Sequence, residues 1–212
     1  MIHLSVPALP HLPTLTLQSV AGCDEAGRGP LAGPVVAAAV ILTPTIVRTS
    51  VFHYLRDSKK LTPTLRSRAA HQLIKYAHQP DPLLHYALSY ISAATIDALN
   101  IRKASLLAME KAVQSLPVRP RFVVVDGRDT LAKRASLALT RGDGCHLAVA
   151  AASILAKVAR DVWMEALALG FPAYGFDRHK GYGTKAHLNA IVTHGPCPEH
   201  RMSFAPLSES IS

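Results

Sequence analysis

Residues 22–42 read GCDEAGRGPLAGPVVAAAVIL, and no other stretch restricts the fold as strongly. From Val35 to Leu42 the chain is an unbroken run of Val, Ala, Ile and Leu, bounded by Pro34 and by Thr43 with Pro44. That is the length and punctuation of a strand buried on both faces. Residues 19–24 form a second apolar lead-in that ends on adjacent acids, Asp24 and Glu25. Between the two, Gly27, Gly29, Pro30, Gly33 and Pro34 exclude a helix and require a wide turn with close backbone approach. The predicted opening is strand, glycine turn, strand, with a carboxylate pair at the turn. Such a pair is costly to hold unless something cationic sits beside it, so this is the first candidate active site.

The remaining chain supplies the other layers. A short strand is expected around residues 53–55, followed by a basic loop of Asp57, Ser58, Lys59 and Lys60. Thr62 and Pro63 are an N-cap and first-turn proline for a helix carrying Leu65, Ala69, Leu73 and Tyr76, closed by Pro80 and Pro82. Residues 85–91 read as a strand, and Ser92 caps a short helix with Ile96 and Leu99. A longer helix is predicted over 102–116, burying Leu106, Met109, Val113 and Leu116. Residues 121–125, RFVVV, are a buried-strand pattern ending on Asp126 and Gly127. Residues 136–140 are a further strand running into Arg141, Gly142 and Asp143. An Ala-rich helix follows over 147–169, ended by Gly170. Beyond FDRHKGYGT a last helix spans 185–194 and stops at Gly195. Strands grouped early and alternating with helices later predict one α/β domain with a mixed sheet over residues 19–212. Residues 1–18 are expected to form a loosely attached arm. They lack a basic start and are broken by Pro7, Pro10 and Pro13, unlike a signal peptide or a span.

Charge narrows the partner. With 23 Lys and Arg against 14 Asp and Glu, the formal net charge is +9, which favours a polyanion. The basic residues are scattered and make no strongly basic amphipathic helix, so nucleic acid is preferred to a membrane surface. Cys23, Cys145 and Cys197 are odd in number, far apart and without a C-x-x-C pair. Neither a disulfide framework nor a zinc site is indicated, and a reducing cytoplasm is the expected compartment.

Four acids stand out by position: Asp24 and Glu25 at one strand end, Asp126 at another, and Asp143 after a third. If neighbouring strand ends gather them, the carboxylates repel one another unless divalent cations intervene, and hard oxygen donors suit magnesium or manganese. Two such ions, ~3.5–4 Å apart, can clamp the attacking and leaving oxygens of a phosphodiester. One difficulty is geometric: successive strand residues face opposite ways, so a bend near Gly27 must re-aim one acid or Glu25 must reach around the edge. The residues alone leave Asp126 and Asp143 open between turn acids and catalytic groups, and do not choose Asp143 over Asp161. Asp161, near Lys157 and Arg160, fits a surface ion pair. Gly27-Arg28-Gly29 lacks the lysine and spacing of a phosphate-binding loop, and the histidines form no H-x-x-x-H pair.

Taken together, GCDEAGRGPLAGPVVAAAVIL, DSKKL at 57–61, VVVDG at 123–127, RGD at 141–143, AAASILAKVARD at 150–161, HKGYGT at 179–184 and HRMSF at 200–204 resemble bacterial ribonuclease HII, the type 2 ribonuclease H. The resemblance covers residues 22–204 in the family's order. It implies a ribonuclease H-like α/β fold, a mixed five-stranded sheet flanked by helices with a small C-terminal helical portion. It further implies a metal-binding tetrad of Asp24, Glu25, Asp126 and Asp143, served by Mn2+ or Mg2+, with two ions during catalysis. Gly27, Arg28 and Gly29 fall on the family's turn for a ribose 2′-hydroxyl, the group that separates RNA from DNA. Tyr182 resembles the tyrosine that stacks on the sugar following the ribonucleotide, and Ser58, Lys59 and Lys180 resemble phosphate contacts. The implied activity is endonucleolytic hydrolysis of RNA in RNA–DNA hybrids, including nicking 5′ of single ribonucleotides in duplex DNA; with no clamp-binding-like Gln-plus-aromatic stretch after Phe204, a monomer is expected. The rivals are a ribonuclease HIII-like nuclease restricted to hybrids and a non-catalytic nucleic-acid-binding module. Departures from the family pattern are Cys23 for a plain aliphatic, Arg141 for a common lysine and Arg56 for a frequent asparagine.

Overall fold

The computed structural model describes residues 20–56 and 58–211, so the arm expected over residues 1–18 lies outside the described residues, as does Asp57. Five strands, β1 (Val20–Ala26), β2 (Val35–Leu42), β3 (Leu84–Ile91), β4 (Phe122–Asp126) and β5 (Ser136–Leu139), form one sheet in the order β3-β2-β1-β4-β5. β1 pairs antiparallel with β2 and β2 antiparallel with β3, while β1 with β4 and β4 with β5 are parallel. The expected mixed five-stranded sheet is therefore present.

Seven α-helices belong to the described residues: α1 (Val51–Arg56), α2 (Pro63–Ala77), α3 (Ala93–Leu99), α4 (Ile101–Gln114), α5 (Leu147–Gly170), α6 (Phe176–His179) and α7 (Lys185–His194). Thr62, Ser92 and Thr184 cap α2, α3 and α7 by accepting from the backbone N–H three residues on, which satisfies a helix-end donor that would otherwise be orphaned. One expectation is corrected. Residues 53–55 lie in a helix, not a strand, because Val51 and Leu55 both enter the core while His53 is exposed, a spacing of four that only a helix satisfies.

β2 is buried along its whole length because it is a central strand with a layer on each side. Ala37, Ala39 and Ile41 join Ala104, Ala108, Ala112 and Val113 of α4 on one face. Ala38, Val40 and Leu42 join Ala151, Ala152 and Leu155 of α5 and Leu73 of α2 on the other. Alanine on both sides of each contact lets the helix axes approach the sheet closely. At Gly22 the approach is closest: a β-carbon there would stand 2.3 Å from the backbone of Ala148 and Val149. α5 is consequently seated on β1, and its second half reaches past the sheet to the C-terminal portion. There Met164 packs with Ala32, Tyr174, Phe176 and Cys197. No helix of the described residues is long and apolar enough to cross a membrane.

Candidate active site

The parallel register of β1 and β4 runs to Cys23 opposite Val125, so the next residues on the two strands are Asp24 and Asp126. Both sit at the C-terminal ends of neighbouring parallel strands, where α/β sheets commonly place functional groups. Asp24 is buried. Its Oδ1 accepts from the Glu25 N–H at 2.7 Å, and Ser153 on α5 hydrogen-bonds the carboxyl. Pairing of β1 with β2 continues without a bulge to Ala26 opposite Val36. A bend near Gly27 therefore does not re-aim either acid, and Glu25 meets the field of Asp126 from the strand's end.

Burial is the main cause that holds the Asp24 carboxyl well above its usual pKa, reinforced by Glu25 and Asp126 and opposed by the Ser153 hydrogen bond. Glu25 is likewise raised by burial, with Arg28 opposing and Asp126 adding. Arg28 Nη1 donates to Glu25 Oε1 at 3.0 Å, while Glu25 Oε2 is buried and has no hydrogen-bond partner among the described residues. A buried carboxylate oxygen without a donor, beside two further carboxyls, is an arrangement that a cation would relieve. The donor set is all oxygen and so fits a hard divalent ion.

Asp143 belongs to a short 3-10 turn, residues 142–144, that follows β5. The Gly142 N–H donates to Asp126 Oδ1 at 2.6 Å, which ties this turn to the end of β4. Ser58 Oγ donates to the Asp143 carbonyl at 3.1 Å. Glu25, Gly27, Ser58, Asp143, Ser153 and Tyr182 are among the residues lining one cavity of about 340 Å³. Asp24, Glu25 and Asp126 are thus electrostatically joined and Asp143 shares the cavity. Among the described residues, no three His, Cys, Asp or Glu groups are gathered at metal-ligand spacing.

The glycine turn stands beside the acids. Gly27 has φ +95°, and a β-carbon there would lie 2.0 Å from Arg160 Nε. Gly29 faces the Tyr182 ring, 3.7 Å from where its own β-carbon would be. Tyr182 is about half exposed, whereas Lys180 donates to Glu165 at 2.7 Å and to the Asp177 carbonyl at 2.6 Å, and is not among the residues lining the cavity. The side chain of Lys59 lies outside the described residues. Lys157 and Asp161 form the expected ion pair.

Arg201, to which the sequence assigned no role, and Arg160, which it placed beside the Asp161 surface ion pair but which is buried, build the turn. Arg201 is fully buried and donates to the carbonyls of Gly27, Arg28 and Gly33 at 2.6 to 3.0 Å. Arg160 donates to the carbonyls of Ala32, Pro34 and Lys180 at 3.0 to 3.1 Å. Five donors in a rigid fork suit a ring of carbonyls better than an ammonium does. Burial, then the charge of Arg160, pulls the Arg201 pKa down to about 9, so it stays protonated at neutral pH. The sequence signal was present in VARD and HRMSF, but nothing local distinguishes an arginine that turns inward.

The model of the family described as Ribonuclease HII matches residues 21–207. Ribonuclease HII of Rhodopseudomonas palustris (strain BisB18) is 50% identical over 189 residues, which cover 89% of this chain and 67% of that protein. Ribonuclease HII of Chlamydia trachomatis serovar D is 48% identical over 192 residues, 91% of this chain and 84% of that one. Among solved structures, the ribonuclease H2 from Pyrococcus horikoshii OT3 superimposes with a TM-score of 0.73 at 26% identity, covering 90% of this chain and 95% of that one.

Proposed function

The chain belongs to the ribonuclease HII family, and from that premise we propose that it hydrolyses the RNA strand of RNA–DNA hybrids and nicks duplex DNA on the 5′ side of an embedded ribonucleotide. The observation that carries this reading is the meeting of Asp24, Glu25 and Asp126 at adjoining strand ends, with a buried unpartnered Glu25 oxygen, against a glycine turn. A non-catalytic binding module has no use for carboxyls there, since they repel phosphates.

Asp24, Glu25, Asp126 and Asp143 would hold magnesium or manganese, two ions during turnover, which would supply an activated water and stabilise charge developing on the phosphate and leaving-group oxygens. Burial raises the carboxyls of Asp24 and Glu25 in the folded protein, and a bound cation would favour their ionised form. The turn at 27–29 presents backbone groups to the ribose 2′-hydroxyl, and its carbonyls are already oriented by Arg201. Arg28 balances Glu25. Tyr182 stacks on the following sugar from across Gly29. Ser58 and Lys59 meet phosphate, and Lys180 does so by exchanging Glu165 for the substrate. The products are a 5′-phosphate and a 3′-hydroxyl, and the enzyme works as a cytoplasmic monomer.

The test is a labelled DNA duplex carrying one ribonucleotide, incubated with magnesium and, separately, manganese. Nicking on the 5′ side, its abolition by EDTA, and its loss by at least roughly a hundredfold in a folded Asp126→Asn protein are expected, because removal of one group that stabilises transition-state charge costs about 10²–10³ in rate. Binding without nicking under both metals would refute the assignment, and cleavage of hybrids alone would indicate an HIII-like specificity.

A further inference from the structure

Behind Tyr182 the C-terminal portion holds three imidazoles that the proposed reaction does not use. His187 and His200 are buried, with their Nε2 atoms 3.1 Å apart, and the His179 ring stacks on His187 at 4.4 Å and 18°. Phe176 meets His187 edge-on at 5.4 Å, and Tyr174 meets His200 edge-on at 5.0 Å.

Backbone donors select one tautomer for His200 and for His179, and His200 in turn selects that of His187. His200 Nδ1 lies 2.9 Å from the Cys197 N–H, 3.1 Å from Cys197 Sγ and 3.2 Å from the Cys197 carbonyl; the shortest contact, from the N–H, makes that nitrogen an acceptor and puts the His200 proton on Nε2. His200 Nε2 then donates to His187 Nε2, which places the His187 proton on Nδ1, and Nδ1 donates to the Tyr182 carbonyl at 2.9 Å. His179 Nδ1 accepts from the Gly181 N–H at 3.2 Å, and its Nε2 donates to the Tyr174 carbonyl at 2.7 Å. The result is a one-directional chain from the Cys197 amide to the Tyr182 carbonyl. A proton added to His187 or His200 would set two N–H groups face to face. Burial agrees with neutral rings, lowering the pKa of both, to about 4 for His187.

The same loop is tied at its other side, where the Leu31 N–H donates to the Gly181 carbonyl at 2.8 Å. Gly181 has φ +81°, and a β-carbon there would lie 2.5 Å from the Ala32 carbonyl oxygen. The backbone at 181–182 is thus clamped between the glycine turn and the imidazole pair, and the Tyr182 ring projects into the cavity that holds Glu25 and Asp143.

We infer that His187, supported by His200, is a positioning residue for Tyr182: the neutral imidazole pair fixes the loop so that the ring stands opposite Gly29, and thereby sets how tightly the sugar following a ribonucleotide is seated. This rests on the sugar-stacking role given to Tyr182 above.

The first experiment follows histidine side-chain nitrogens by ¹⁵N NMR in the unmodified protein at pH 6–7. A proton on Nδ1 of His187 and on Nε2 of His200 is expected, and an Nε2–H or doubly protonated His187 overturns the inference. The second is steady-state nicking of the single-ribonucleotide duplex. His187→Leu, which loses both the hydrogen bond to the Tyr182 carbonyl and the one from His200, should raise KM roughly three- to tenfold with little change in kcat. His187→Asn, whose amide N–H can reach the Tyr182 carbonyl, should restore most of the loss. Adding His187→Leu to Tyr182→Ala should cost nothing beyond Tyr182→Ala alone. A silent His187→Leu beside an impaired Tyr182→Ala overturns the relay alone, as does additivity of the two. A silent Tyr182→Ala removes the sugar-stacking reading and the relay's function with it.

Discussion

Replacing Gly22 by alanine tests how the acids and α5 are held together. Gly22 lies two residues before Asp24 on the same face of β1, and α5 rests directly on it. The new methyl would stand 2.3 Å from the Ala148 carbonyl carbon and the Val149 nitrogen, and 2.7 Å from the Ala148 oxygen. Ordinary carbon contacts lie near 3.5–4.0 Å, so the helix must retreat by about 1 Å. These are backbone atoms of a helix whose neighbours Ala150, Ala151 and Ala152 are buried, so no flexible side chain can yield. Overpacking costs typically 1–3 kcal/mol, and a backbone clash belongs at the upper end, about 3 kcal/mol. At roughly 2–4 °C per kcal/mol for a chain of this size, Tm should fall by about 6–12 °C. Thermal unfolding followed by circular dichroism measures the Tm, and urea unfolding the free energy. The same substitution elsewhere provides the scale. Gly170→Ala, with open space and a helical position, should be neutral or stabilising by up to ~1 kcal/mol. Gly127→Ala, in open space but at φ +117°, should cost about 1–3 kcal/mol from backbone strain alone. Nicking should also slow in Gly22→Ala, because α5 carries the Ser153 that bonds Asp24. A Gly22→Ala protein within about 0.5 kcal/mol of the parent would refute the packing argument.

Two further outcomes follow from the buried titratable groups. The Asp24 carboxyl is raised in the folded protein, so the native state binds the extra proton in the window above the unfolded value, and stability falls as pH rises through the folded pKa. Asp24→Asn should therefore raise Tm at pH 7–8 without metal and lose that advantage toward pH 4, while magnesium should raise the parent's Tm more than the variant's. Lower stability of the variant at pH 8 without metal would contradict this. His187 has the opposite sign: lowered to about 4 from about 6.5, it stays neutral in the native state while the unfolded chain takes up a proton. Its share of stability is lost as pH falls from about 6.5 through about 4, with a ceiling of roughly 3 kcal/mol. The difference in unfolding free energy between parent and His187→Asn, measured across that range, should shrink as pH falls, and a constant difference would rule out the shift.

Local rules in the chain anticipated much of this protein. The run at 35–42, the caps at Thr62 and Ser92, and the stops at Gly170 and Gly195 mark elements whose signals are local, and the structure places β2, α2, α3, α5 and α7 there. Residues 53–55 misled because the short β-branched and aromatic run VFHYL suits a strand as well as one turn of helix, and only the burial of Val51 with Leu55 separates the two. The motif order was legible because the stretches shared with the ribonuclease HII family lie along the chain in the family's order. What Asp24 and Asp126 share depends on strand register, which pairs residues about a hundred positions apart and is chosen by the packing of α4 and α5 on the sheet. The inward turn of Arg201 and Arg160 depends on which carbonyls the folded turn leaves without donors. The tautomers of His187 and His200 depend on a single amide at Cys197. Sequence alone determined which of the longer elements form and which chemistry is possible, because propensity, capping and hydrophobic period are properties of neighbours in the chain. Tertiary structure alone decided which groups meet and which are charged, because burial and electrostatic coupling exist only once distant segments have displaced water between them.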